Sequence, residues 1–446
     1  MTERASRETV PAAADPERPS TIKPAPIPEP AAREPTTSGL LRLYPSLRVP
    51  ALRVLWLGML PSTLAWQMSV VATGYAALVL SGSATSLGLV SGVIGLPMLL
   101  FSLVGGVAAD RFPRRTLLIL SQSALGLGAA ALAILSLGGV LQVWHLVALG
   151  LVQGTAFSFN MPARQAYIAE LVPRSLIGNA VSLNNAGMNV CRVAGPSLAG
   201  VLLAIPAIGL GGVFLAMALM YAVVVASLVR LPVRAAQAEA AGTRRGAGSW
   251  DQLVEGLLYV RSSPSLVALL GLALATLFLA MPYQQLMPLF SERVFGVGAA
   301  GLGLLMTANG IGSVAGALFV AAMASFSRQA TLLLGIGIGF GLTLVGFALS
   351  PIYPLAVFML LLVGFCWAAY TALNSTLIMS NADPRFYGRV MSVYLLTFAV
   401  TPLGALPMSW ISDHIGAPLT IAAAGALVAL IVAGVAGLFP AYRRIR

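Results

Sequence analysis

Twelve stretches of mostly apolar residues, each about 20 residues or longer, follow one another along this 446-residue chain. That length matches the ~30 Å hydrocarbon core of a bilayer when the segment is helical. Inside hydrocarbon every backbone polar group must be satisfied by the chain itself, so such stretches become helices. The first runs from about Val54 to Leu80; the others fall near 86–109, 116–138, 142–163, 179–203, 208–230, 266–290, 301–324, 330–350, 354–380, 388–411 and 418–439. Hydrophobic residues make up 58% of the chain and charged residues 9%, far from the ~25% charged residues of soluble domains. The expected fold is therefore an all-α membrane protein with 12 transmembrane helices. Pro61, Pro97, Pro196, Pro282 and Pro402 fall within the spans and are read as bends.

Residues 1–50, rich in Pro, Ala, Glu and Arg, are expected to form a disordered tail with no cleaved leader. A first set of six helices is expected over 51–230, a central loop over 231–265, a second set over 266–440 and a short tail over 441–446. In the loop, Trp250, Leu253, Val254, Leu257 and Leu258 form a helical apolar stripe, suited either to a membrane surface or to the bundle. Arginines gather on alternate connections: Arg111, Arg114, Arg115, Arg174, Arg230, Arg261, Arg328 and Arg385 lie on one side, whereas the other side has Arg293 alone. Because Lys and Arg stay on the cytoplasmic side of a membrane, both termini are expected there. The formal charge of +12 thus reports orientation, and no nucleic-acid partner is expected.

Catalytic chemistry is poorly supplied. Lys23 is the only lysine, which excludes a phosphate-cradling P-loop, and His145 and His414 are the only histidines. Cys191 and Cys366 sit in apolar segments as small packing residues. No enzyme activity, cofactor or metal site is expected. Eight acids follow residue 100, namely Asp110, Glu170, Glu239, Asp251, Glu255, Glu292, Asp383 and Asp413, and all stand in loops or near helix ends.

The two sets of helices look related. Phe157, Asn160 and Arg164 match Trp367, Tyr370 and Asn374 at a common offset, and Pro173, Gly178 and Ser182 have counterparts in Pro384, Gly388 and Ser392. Duplicated halves suit a transporter with its substrate site near the midplane. The loop between the second and third spans reads GGVAADRFPRR, from Gly105 to Arg115. It places an acid where it can meet a helix N-terminus and three arginines where they can meet anionic headgroups. This loop resembles the signature of the major facilitator superfamily, and the segment from Met161 to Pro173 with Gly178-Asn179-Ala180 resembles its drug-efflux branch, which includes macrolide and siderophore exporters. Pro113 stands where that signature usually has glycine. Gly150 stands where the proton-exchanging branch has an arginine, and Gly195-Pro196 retain part of an antiporter motif in which Cys191 and Ala199 replace glycines.

The resemblance implies two pseudo-symmetric six-helix halves and export of an amphipathic small molecule by alternating access, coupled to protons or another ion. A dedicated siderophore or antibiotic exporter and a transport-dead sensor or scaffold are the alternatives. It also implies gating roles for Gly105, Asp110, Arg111, Arg114, Arg115, Gly195, Pro196 and Arg389, with Asp110 bonding the start of the eleventh helix. Substrate-cavity candidates are Trp66 and Gln67, then Gln153, Phe157 and Asn160, then Tyr283 and Gln284, and lastly Trp367, Tyr370 and Asn374, with helix packing as the bland alternative. Asn185, Asn189 and Arg192 share one helical face, read either as a polar network between the halves or as substrate contacts. Proton coupling would fall on Asp110, Glu292 or Asp413, for want of an acid at mid-span. A monomer in the lipid bilayer is expected.

Overall fold

A computed structural model describes residues 44–231, 249–323, 326, 328 and 329–438; the side chain of Asp110 and a few others within helices lie outside the described set. Residues 1–43 of the expected N-terminal tail, residues 232–248 of the central loop and the short C-terminal tail also fall outside it, whereas Pro45–Arg48, expected to be disordered, form a short turn anchored by Ser46 N donating to Asn179 Oδ1 at 3.1 Å. Among the described residues the protein is all-helical. The first six spans are α1 (Pro50–Ser81), α2 (Ala84–Gly92) with α3 (Gly95–Arg111), α4 (Arg114–Leu137), α5 (Val143–Leu171), α6 (Ile177–Ala204) and α7 (Gly209–Val229). The central loop carries α8 (Ser249–Ser262), and the second set comprises α9 (Pro264–Leu279) with α10 (Tyr283–Leu289), α11 (Gly298–Ala322), α12 (Gln329–Ala348), α13 (Tyr353–Asn381), α14 (Tyr387–Ile415) and α15 (Ala417–Leu438). Eleven spans among the described residues are long and apolar enough to cross a membrane. The remaining expected span, 388–411, lies within α14, a helix of 29 residues.

Local chemistry explains the boundaries. Pro50 opens α1 at a position whose N–H would have no partner. Gly82 closes it at φ 64°, a left-handed conformation that suits glycine, and its N–H bonds the Leu78 carbonyl. Ser83 then caps α2, accepting from Thr85 N at 3.1 Å. Pro61 and Pro196 stay inside continuous helices as expected, but Pro97 and Pro282 accompany breaks. A proline ring collides with the carbonyl four residues earlier, at Val93 and Phe278 respectively. The second span is accordingly interrupted at Val93–Ile94 and the seventh at Ala280–Pro282.

The duplication inferred from sequence is visible in the packing. Within the first set α3 packs on α5, α4 on α5 and α7, and α1 on α6 and α7; within the second, α11 packs on α13, α12 on α13 and α15, and α9 on α14 and α15. The sets meet through the equivalent pairs α6–α11 and α2–α14. Lipid tails give no hydrophobic drive between helices, so small residues that admit close backbone approach carry the association. A Cβ at Gly105 would strike the Ser158 carbonyl of α5, one at Gly195 would meet Gln67 of α1, and one at Gly200 would strike Gly303 of α11. Gly105 and Gly195 thus serve packing inside the first half, whereas Gly200 serves the contact between halves.

The face at which α1 begins and α3 ends carries the arginine-rich connections and is called the basic face below. There Arg114 pairs with Glu170 at the end of α5 and donates to the Ala109 carbonyl at 3.3 Å. Arg115 donates to the Leu228 and Val229 carbonyls at 2.8 and 2.5 Å, satisfying the C-terminus of α7. These two arginines bind protein rather than the lipid headgroups expected from their spacing. Arg111 is exposed at the end of α3. The stripe in the central loop forms α8, whose inner side packs on α14: Tyr259 stacks on Phe386 at 4.1 Å and accepts from Asp383 N at 2.9 Å. Val254, Leu257 and Leu258 remain exposed on α8, so the helix has one side on the bundle and an apolar side free of it.

Candidate functional site: a cavity closed on one face

On the face opposite the arginines, the two halves are joined by directed polar contacts. Asp413, past the apolar stretch of α14, accepts four hydrogen bonds from the start of α2: Ser83 Oγ at 2.7 Å, Ala84 N at 2.8 Å, Thr85 N at 2.8 Å and Thr85 Oγ1 at 2.6 Å. A carboxylate at a helix N-terminus meets both the free N–H groups and the positive end of the dipole. Partial burial pushes the Asp413 carboxyl up, but the bonds from Thr85, Ser83 and Ala84 outweigh it and hold it down to about 2. Nearby, Arg293 donates to the Gly82 carbonyl, and Ser91 Oγ donates to Gln285 Oε1 at 2.9 Å. Deeper between the halves, Ser197 and Thr307 share a 2.5 Å hydrogen bond beside the Gly200–Gly303 crossing.

Toward the basic face the same helix, α6, loses its partner. Asn185, Asn189 and Arg192 lie exposed on it, and among the described residues they make no hydrogen bond with one another. Arg192 nevertheless interacts electrostatically with Tyr283 of the second half, and the stripe lines the open side. A cavity of about 210 Å³ adjoins it inside the first half. Helix α1 contributes Thr63, Trp66 and Gln67 to its wall, α5 contributes Phe157, Asn160, Met161 and Arg164, and α6 contributes Met188 and Arg192. Trp66 and Phe157 lie 5.1 Å apart, a tilted aromatic pair. Gln122 of α4 and Tyr221 of α7 close the deep end.

The structure thus brings Trp66, Gln67, Phe157, Asn160 and Arg192 to one place. Asn160 is also tied to Ser121 Oγ of α4 at 3.0 Å. Gln153 falls outside the cavity wall: it is buried and donates to Ser69 Oγ at 3.0 Å, polar glue between α5 and α1. The second-half candidates are packed rather than open. Trp367 is buried 5.7 Å from Phe340, and Tyr370 accepts from Thr276 Oγ1 at 3.3 Å. Asn374 is buried, and neither of its side-chain polar atoms has a partner among the described residues. Tyr283 is buried and accepts from Asn309 Nδ2 at 2.7 Å and Gln284 Nε2 at 3.3 Å, so these residues brace the broken seventh span. Arg389 pairs with Glu255 of α8 and lies 5.1 Å over the Phe386 ring. Asp383 accepts from Arg385 N at 2.9 Å, capping the short turn that leads into α14. Arg164 was legible only as a marker of duplication. Its place four residues after Asn160 and seven after Phe157 puts it on the cavity face.

Comparison with known proteins bears on this geometry. A family model described as transmembrane secretion effector matches residues 42–444. The multidrug efflux pump Tap of Mycolicibacterium fortuitum is 27% identical over 401 residues, covering 85% of this chain and 93% of that protein. The enterobactin exporter EntS of Citrobacter koseri is 27% identical over 361 residues, covering 80% of this chain and 84% of its own. Among solved structures, a bacterial homologue of the human lysosomal transporter Spinster, inward-facing and unoccupied, superposes with a TM-score of 0.67 at 15% identity, covering 89% of this chain and 97% of that one.

Proposed function

Since the chain belongs to the transmembrane secretion effector family of the major facilitator superfamily, and is thus an integral multi-pass membrane transporter, we propose that it exports amphipathic small molecules by alternating access. The observation that carries this reading is the asymmetry of the cavity. Directed bonds between α2 and α14 and between α6 and α11 shut one face, while a polar and aromatic wall is open toward the other. The basic face is assigned to the cytoplasm of an inner or plasma membrane, because arginines are retained there. The conformation described is accordingly inward-facing. Trp66, Phe157, Met161 and Met188 offer a deformable apolar wall, and Gln67 and Asn160 supply polar contacts beside it.

Transport is coupled to protons, and the coupling group is Asp110 or Glu292. Asp413 is set behind them, because in the closed arrangement the bonds from Thr85, Ser83 and Ala84 hold its carboxyl down to about 2 and keep it ionised. Everted membrane vesicles carrying the chain test the export reading. Energised vesicles should accumulate fluorescent amphiphiles from the medium, and vesicles without the chain should not; equal uptake by both would refute it. Protection of cells against many unrelated compounds would mark a multidrug pump, and protection against one would mark a dedicated exporter. The dedicated reading is favoured by relatives such as the enterobactin exporter.

A further inference from the structure

The cavity wall has a charge balance that a general amphiphile pump does not require. Arg164 and Arg192 both reach it. Arg164 is only 5% exposed, and its hydrogen bond among the described residues runs to a neutral group, Thr63 Oγ1, at 3.1 Å. Among the described residues neither guanidinium is paired with a carboxylate, and the eight acids after residue 100 stand in loops, in α8 or near the ends of spans. Guanidinium does not lose its proton in a protein, so both charges persist. Tyr221, 1% exposed, lines the same wall, and its hydroxyl has no partner among the described residues. Two fixed cations, an unused O–H donor and an aromatic pair within one cavity suit an oxyanion joined to an apolar body.

We infer that the cargo class is an amphipathic anion. Its carboxylate, sulfonate or phosphate is held by Arg164 and Arg192 with a hydrogen bond from Tyr221, and its apolar part lies against Trp66 and Phe157. Arg164 is the buried anchor. Arg192, on the exposed side, meets the anion first and rejects cations by like-charge repulsion. This inference rests on the export reading for the direction of movement, but the binding preference is a separate observable.

The test uses the full chain in lipid nanodiscs with two probes sharing one fluorophore, pyrenebutyrate and pyrenebutyl-trimethylammonium, read by energy transfer from tryptophan. The anion should bind about tenfold or more tighter than the cation. Arg192→Gln should shrink that ratio about tenfold, and Arg192→Lys should restore most of it. Tyr221→Phe should weaken the anion alone by about threefold. Because the buried Arg164→Gln variant can fail to fold, the exposed Arg192 carries the test. A cation bound as tightly as the anion, a ratio unmoved by Arg192→Gln, or displacement of pyrenebutyrate by an equal concentration of inorganic phosphate would each overturn the inference. Everted vesicles separate the two readings. Anion binding without vesicular uptake of the anion would sink the export reading and leave the binding class standing. Uptake of the cation but not the anion would do the reverse.

Discussion

Removing the Asp413 carboxylate should loosen the contact between the halves on the face opposite the arginines. That carboxylate accepts four bonds of 2.6–2.8 Å from Ser83, Ala84 and Thr85, and all four cross from one half to the other. Holding the group down to about 2 from 3.8 corresponds to an unscreened ceiling of about 2.4 kcal/mol. The carboxylate is exposed, so solvent screening reduces this to about 1 kcal/mol, or roughly a fivefold change in the closed-to-open ratio. Asp413→Asn keeps one acceptor and loses the charge, so it should shift the ratio by about twofold to fivefold, and Asp413→Ala by more. Spin labels at Val140 and Ile352, exposed residues of the two halves on that face, would report the populations by pulsed dipolar spectroscopy. The sign with pH follows from the lowered value. The closed state gains from ionised Asp413 above about pH 4 and loses that gain as pH falls through about 2, so this contact contributes nothing to pH dependence between pH 5 and 8. An unchanged distance distribution in Asp413→Ala would refute the reasoning.

A side chain at the α6–α11 crossing should act in the same direction more strongly. Gly200→Val would strike Gly303 and should raise labelling of cysteines placed on the Val140 side, whereas unchanged labelling would place the closure elsewhere. Proton-driven uptake into proteoliposomes should survive Asp413→Asn and fall in either Asp110→Asn or Glu292→Gln; survival in both of the latter would locate the coupling group outside them. Reporter fusions at Thr243 and at the C-terminus should be active in the cytoplasm and a fusion at Gly139 outside it, and the reverse pattern would invert the assignment of the basic face.

Much of the fold could be read from the chain, for a physical reason: a bilayer demands about 20 apolar residues per helix, and each stretch announces itself. The breaks could not be read in the same way. Pro61, Pro97, Pro196 and Pro282 look alike in sequence, yet only the second and fourth accompany interruptions, because the outcome depends on whether neighbouring helices satisfy the freed carbonyls. The duplication was legible, but the packing opposite the duplicated face was not. Trp367, Tyr370 and Asn374 hold the positions of Phe157, Asn160 and Arg164, yet in the second half that face is filled by Phe340 and Thr276. A helical period identifies residues that share a face. It says nothing of whether the space opposite is occupied. The latch at Asp413 was equally hidden, since it joins residues 328 or more positions apart.

If substrate crosses only when the face opposite the arginines opens, a reversible cross-link there must stop transport. In a chain with Cys191 and Cys366 replaced, Ser197→Cys and Thr307→Cys would place two thiols where the hydroxyls now lie 2.5 Å apart. Oxidised everted vesicles should bind fluorescent amphiphile but not accumulate it, and reduction should restore accumulation. Accumulation that continues while the cross-link is intact would show that substrate crosses with that face shut.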